Sequence, residues 1–165
     1  MKAKILRNRL LSLGTGLAAV LAPLTARSSS LVGFDAQLNQ SRLVSETCNG
    51  GVCNLVFQGT GSSNLMGAVT WTAQGVQDFN TSPCFMAAVT ITLVGSAGSI
   101  TVSDSCGIVC PSPTNYNQPY TIDSVWNVTG GTGNFSGITG SGTDQGTISP
   151  HGDRPVVHLS GVVSY

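Results

Sequence analysis

The chain has 165 residues, 41% of them hydrophobic and only 8% charged, with 21 glycines and a formal net charge of zero. That apolar content suffices for one packed core and excludes a disordered chain, while beyond the four basic residues among the first nine only Arg27, Arg42 and Arg154 remain, too few for the clustered cations that nucleic acid or an anionic membrane surface requires. Lysine occurs only at Lys2 and Lys4, so Schiff-base chemistry is excluded from the rest of the chain.

Residues 1–26 carry Lys2, Lys4, Arg7 and Arg9 ahead of an apolar run over residues 10–24, with Ala26 at a small-residue cleavage point. This is the pattern of a secretory signal peptide, and the run is too short and wrongly flanked for a stable membrane span. The predicted organisation is a signal peptide over 1–26 and one domain over 27–165, secreted to an extracellular or periplasmic location. Once the signal is removed, Arg27, Arg42 and Arg154 face seven acidic residues, and the domain is mildly acidic.

In chain order, residues 31–38 read as either a first strand or a tether. Residues 42–48 and 52–58 form a hairpin around Gly50-Gly51, a good two-residue turn that pairs Asn49 with Val52 and sets Cys48 opposite Cys53 at a non-hydrogen-bonded site. In an oxidising compartment that pair is expected to be a disulfide. Residues 59–64 read as a flexible turn. Residues 66–74 alternate as a strand, with Val69, Trp71 and Ala73 on the apolar face. A loop over 77–83 follows.

Residues 85–94 form the most apolar strand, apolar on both faces, which suggests a covering segment or partner outside the sheet. Pairing it with residues 99–103 across Gly95-Ser-Ala-Gly98 matches Leu93 with Ile100 and Ile91 with Val102. That register carries Cys84 to within one residue of Cys110. Cys84–Cys110 through a bulge and a local Cys106–Cys110 bridge both remain open, and either leaves one thiol over, read as inert. Residues 107–119 contain Pro111, Pro113 and Pro119 and are expected to be a long connection.

Residues 120–128 alternate with Tyr120, Ile122, Ser124, Trp126 and Val128 on one face. A turn over 129–133 leads into a glycine-punctuated strand ending near Thr143, and residues 155–165 supply the last strand. Glycines inside strands mark bulges, bends and close backbone approach, which a curled barrel needs at its corners. The fold class expected is all-β, a small antiparallel barrel of about eight strands.

Chemical motifs fail on their residues. The glycine-rich stretch has Ser136 where a dinucleotide fingerprint needs glycine and no lysine for a phosphate loop, and no serine sits in a G-x-S-x-G elbow. His151, Asp153 and His158 bring no further strong donor for a metal. Asp123 is the carboxylate placed in mid-strand; it lies opposite the bulky stripe, is expected exposed and has no placed carboxylate to work with. Four Asn-x-Ser/Thr sequons, at Asn39, Asn80, Asn127 and Asn134, are what chance gives in a chain so rich in Ser and Thr. No catalytic residue, cofactor or metal is assigned. Trp71, Tyr120, Trp126 and Phe135 are the candidates to line a cavity, since a small barrel is either filled by its side chains or holds one small molecule.

The segment from Trp126 to Thr143, WNVTGGTGNFSGITGSGT, resembles the W-x-V-T-G-G-T-G-x-F-x-G-A-T-G-S-G-T stretch of small bacterial secreted proteins related to the allene oxide cyclase and dirigent barrels. The GTGSSNLMG stretch at 59–67, in which Asn64 and Met66 depart from the family pattern, and the turn and strand at 95–102 are similar to other parts of those proteins. The resemblance implies an eight-stranded antiparallel barrel with an apolar cavity, often trimeric in the plant relatives, that guides cyclisation or radical coupling by shape. The acidic and arginine residues those relatives use map onto no matching position, so no activity is carried over. Three roles stay open: non-covalent binding of a small apolar ligand, an isomerase/cyclase-like or dirigent-like enzyme, and a structural or surface-interaction module. A cavity of about 300 Å³ or more would favour the first two and a filled interior the third.

Overall fold

A computed structural model describes residues 30–78, 80, 85–110, 119–149 and 154–165. Eight antiparallel strands follow one another as β1 (Leu31–Asn49), β2 (Val52–Ser63), β3 (Gly67–Asp78), β4 (Phe85–Gly95), β5 (Gly98–Cys110), β6 (Tyr120–Gly133), β7 (Thr139–Ile148) and β8 (Val156–Ser164). Each pairs with the next, and β8 pairs back onto β1 from Leu31↔Ser164 to Leu38↔Val157, closing the barrel. Among the described residues each strand is flanked on both sides by another, although β1 beyond Leu38 pairs with β2 alone and projects as the β1–β2 hairpin. The seam is further tied by His158 Nε2 against Asp35 Oδ2 at 2.7 Å and by the Ser41 hydroxyl, which donates to the Pro155 carbonyl at 2.7 Å. Among the described residues no helix is long and apolar enough to cross a membrane.

Period-two alternation decides what faces the lumen. Phe34, Ala36 and Leu38 from β1, Leu55 and Phe57 from β2, and Ile91 and Leu93 from β4 are buried there, as are Ile100 and Val102 from β5 and Val157, Leu159 and Val163 from β8. The expected pairing of Leu93 with Ile100 and Ile91 with Val102 is the observed register. The first segment is a strand rather than a tether, because its alternating Phe34, Ala36 and Leu38 complete the core beside β8.

Other boundaries move. Residues 59–63, expected as a flexible turn, continue β2, and Gly59 and Gly61 pair with Trp71 and Val69. Asn64 then extends the ladder to β1 with its side chain: its amide oxygen accepts the Asp35 N–H at 2.9 Å and its Nδ2 donates to the Gly33 carbonyl at 2.8 Å. Replacing Asn64 with Ala is expected to cost about 1–2 kcal/mol, read from urea denaturation, because both backbone groups lose their partner. Gln77 and Asp78, expected in a loop, end β3, and residues 107–110, expected in a connection, end β5 because the prolines begin only at Pro111. The turn expected over 129–133 falls instead at Asn134–Gly137: β6 runs to Gly133, where the Gly98–Gly133 pair extends its ladder with β5.

The Cys48–Cys53 disulfide is present, Cys48 pairs with Cys53 and Asn49 with Val52, and Gly50 and Gly51 take φ of 58° and 84°, as a two-residue hairpin turn of this kind requires. Replacing both cysteines with Ser is expected to lower stability by about 2 kcal/mol or less, measured as the shift in urea midpoint, since the closed loop is short. Cys84 lies outside the described residues, as do the side chains of Cys106 and Cys110.

The two ends of the barrel differ. At one, the turns between β2 and β3, β4 and β5, and β6 and β7 are short, and Met66, Phe135 and Ile138 are buried beneath them. At the other, the rim, strands β3, β5 and β7 end at Asp78, Cys110 and Ile148 beside the β1–β2 hairpin.

Candidate functional site

Two tryptophans divide the lumen, each seated over glycine. Trp126 is fully buried, packs edge-on against Phe34 at 5.5 Å between ring centroids, and donates its indole N–H to the Thr143 carbonyl at 2.9 Å. The ring occupies space left by the Gly142–Gly161 pair: a Cβ on Gly142 would lie 2.5 Å from the ring and 2.0 Å from the Ser160 carbonyl oxygen. Trp71 sits likewise over Gly59, and its indole N–H is shared between the carbonyls of Asn39 and Thr60 at 3.3 and 3.2 Å. With both N–H groups satisfied by backbone, the rings present only apolar surface to the interior.

Above Trp126, towards the rim, a cavity of about 50 Å³ opens. Trp71, Leu55, Phe57, Ile91, Ile122 and Val157 form much of its apolar wall, Gln77 and Pro155 also line it, and Asp104 and Asp144 face it. Of the four residues singled out from the sequence, Trp71 lines this cavity. Trp126 lies buried below it, and Phe135 is buried at the capped end, 5.6 Å from the ring of Tyr165. The side chain of Tyr120 is outside the described residues. Asp123 is exposed, as expected. His158 is on the outer wall with Asp35, and His151 and Asp153 lie outside the described residues.

The two aspartates are the feature that residue patterns alone did not single out. Asp104 on β5, Ser124 on β6 and Asp144 on β7 come from adjacent strands; Ser124 pairs with Asp144, and Asp104 with Trp126, two residues beyond Ser124. All three are more than nine-tenths buried, with exposures of 3%, 6% and 2%. Withdrawal from water raises both carboxyl pKa values. Asp144 is pushed up to about 8, first by burial and then by the charge of Asp104, its hydrogen bond to Asp104 and the charge of Asp123. Asp104 is raised by burial, against which hydrogen bonding from Asp144 and the neighbouring Ser124 hydroxyl favours its charged form. The shared proton therefore resides on Asp144, and near neutral pH the pair carries a single negative charge.

Among the described residues three buried side-chain oxygens remain without a well-aligned partner: Asp104 Oδ1, Asp144 Oδ1 and Ser124 Oγ. Ser124 lies near enough to Asp104 to bias its ionisation, but its hydroxyl makes no hydrogen bond of good geometry. Unpaired buried polar oxygens cost free energy, and beside a cavity they form a preorganised polar surface for an incoming group. Two wider depressions of about 390 and 360 Å³ lie on the outer wall, but neither is lined by buried carboxyls.

The signal for this pair was parity. Asp104 continues the inward stripe of Ile100 and Val102, and Asp144 that of Gly140 and Gly142. Comparison with family models, curated proteins and solved structures finds no match to the chain.

Proposed function

We propose that the protein is an exported receptor for a small, largely apolar molecule, held without covalent chemistry at the rim end of the lumen with its polar end on the Asp104–Asp144 pair. The observation that carries this reading is the placement of unpartnered, nine-tenths buried carboxyl oxygens against an apolar cavity. A purely structural barrel gains nothing from such a pair, because a buried charge without a matching cation destabilises the fold. The cavity of about 50 Å³ falls short of the roughly 300 Å³ at which volume alone favours binding over a filled, structural barrel. The carboxyl pair and not volume therefore supports this reading, and the enclosed part of the ligand is a few heavy atoms with any larger body towards the rim. Export is supported by the Cys48–Cys53 disulfide, which fits an oxidising compartment, and by the signal-like residues 1–26. The closed eight-stranded barrel is consistent with kinship to the allene oxide cyclase and dirigent barrels, and with it a trimer.

A second reading, an isomerase-like or cyclase-like enzyme, is favoured by one observation: at neutral pH Asp144 retains a proton inside an apolar lumen, where it can protonate a bound substrate. Native mass spectrometry of protein purified from culture medium tests the first reading. The expected result is a folded barrel carrying a bound small molecule in wild type that is lost in the Asp104→Asn/Asp144→Asn variant. Wild-type protein that stays unliganded after incubation with a small-molecule library sinks it.

A further inference from the structure

We infer that the group recognised at the Asp104–Ser124–Asp144 cluster is a primary ammonium, so that the ligand is a small alkylamine bound amine-first. The inference rests on the receptor reading above and names its ligand class.

The polarity of the site comes first. With one proton held between the two carboxyls, what faces outward is acceptor: Asp104 Oδ1, Asp144 Oδ1 and the lone pairs of Ser124 Oγ. A carbonyl or ether would bring a fourth acceptor into the same space, whereas a donor satisfies what is there. An ammonium has three N–H donors, one for each unpartnered oxygen, and Ser124 can accept from it while turning its own hydrogen to Asp104.

Charge points the same way. The cluster sits in a largely apolar lumen, and among the described residues no cationic side chain lines the cavity, so a cation recovers Coulomb energy that a neutral alcohol does not. Trp71 and Phe57 in that wall are aromatic, and a cation is attracted to an aromatic ring face.

A bare metal ion fits less well. Calcium takes six to eight oxygens and magnesium a near-octahedral set, and here the three cluster oxygens and the Gln77 amide face a wall of hydrocarbon. Volume sets the size of the head: a cavity of about 50 Å³ admits a methyl- or ethylammonium group and little more inside the barrel.

The test uses ethylamine, ethanol and acetone as probes, titrated into the full domain and followed by the amide resonances of Asp104 and Asp144 and the Trp71 indole N–H. Ethylamine is expected to bind at least tenfold more tightly than ethanol, with acetone weakest. In Asp104→Asn/Asp144→Asn, ethylamine affinity should fall at least tenfold while ethanol changes by less than about twofold. Ethanol or acetone binding as tightly as ethylamine overturns the ammonium assignment and leaves the receptor reading standing. No perturbation by any probe at these resonances overturns both. If the double variant does not fold, the wild-type ranking alone decides.

Discussion

Asp144→Asn is expected to make the protein more stable at pH 8 than the wild type and to flatten its dependence on pH. Between the ordinary aspartate pKa of 3.8 and the folded value of about 8, the folded protein retains a proton that the unfolded chain has released. Wherever the folded state binds more protons, stability falls as pH rises. The wild type should therefore be most stable near pH 4 and lose stability up to about pH 8, with Asp104, also raised, acting in the same direction. Carrying that proton across the whole window corresponds to a loss on the order of 4–6 kcal/mol, a large part of what a domain this size possesses. Asparagine can donate to Asp104 as the protonated Asp144 does, but has no charge to be buried. Thermal denaturation of both proteins from pH 4 to 9 checks this; parallel curves would show that the pair does not titrate as described.

Trp126→Ala should be among the most damaging single changes, at about 3–5 kcal/mol in urea denaturation. The indole fills the space over a glycine pair, and on that side nothing can collapse into it, because Gly142 and Gly161 have no side chains to offer. Gly142→Ala attacks the same contact from the other side. Its Cβ would meet the Ser160 carbonyl oxygen as well as the ring, and backbone cannot swing away, so a loss of about 3 kcal/mol or more is expected. The two changes share one contact and should not add, and the double variant measures by how much.

The fold was legible where side-chain chemistry alternates. Val69, Trp71 and Ala73, Ile91 and Leu93, and Val157 and Leu159 each declare an inward face, and Gly50-Gly51 sets the register of the cysteine hairpin from residue types alone. Turns were harder. Thr and Gly over 129–133 resemble a turn by composition, yet these residues pair with β5 from Gly130 onwards, since glycine there serves close packing rather than reversal. The carboxyl pair was hidden by those same boundaries. Asp104 stands one residue past the expected end of its strand at 103, and Asp144 one past Thr143, so neither was granted a face. Extending each strand by a single residue, with parity kept, puts both in the lumen, Asp144 opposite Ser124 and Asp104 opposite Trp126. No reading of residue types alone could have supplied the burial that raises their pKa values, which comes from seven other strands closing round each of them.

The β1–β8 seam has a practical corollary. Because Leu31 lies beside Ser164, both ends of the folded domain emerge together at the capped pole, the length of the barrel away from the cavity. A surface tether, affinity handle or fluorescent fusion attached at either end would therefore leave the opposite pole pointing outward, and the protein can be immobilised without the attachment covering the end at which the cavity lies.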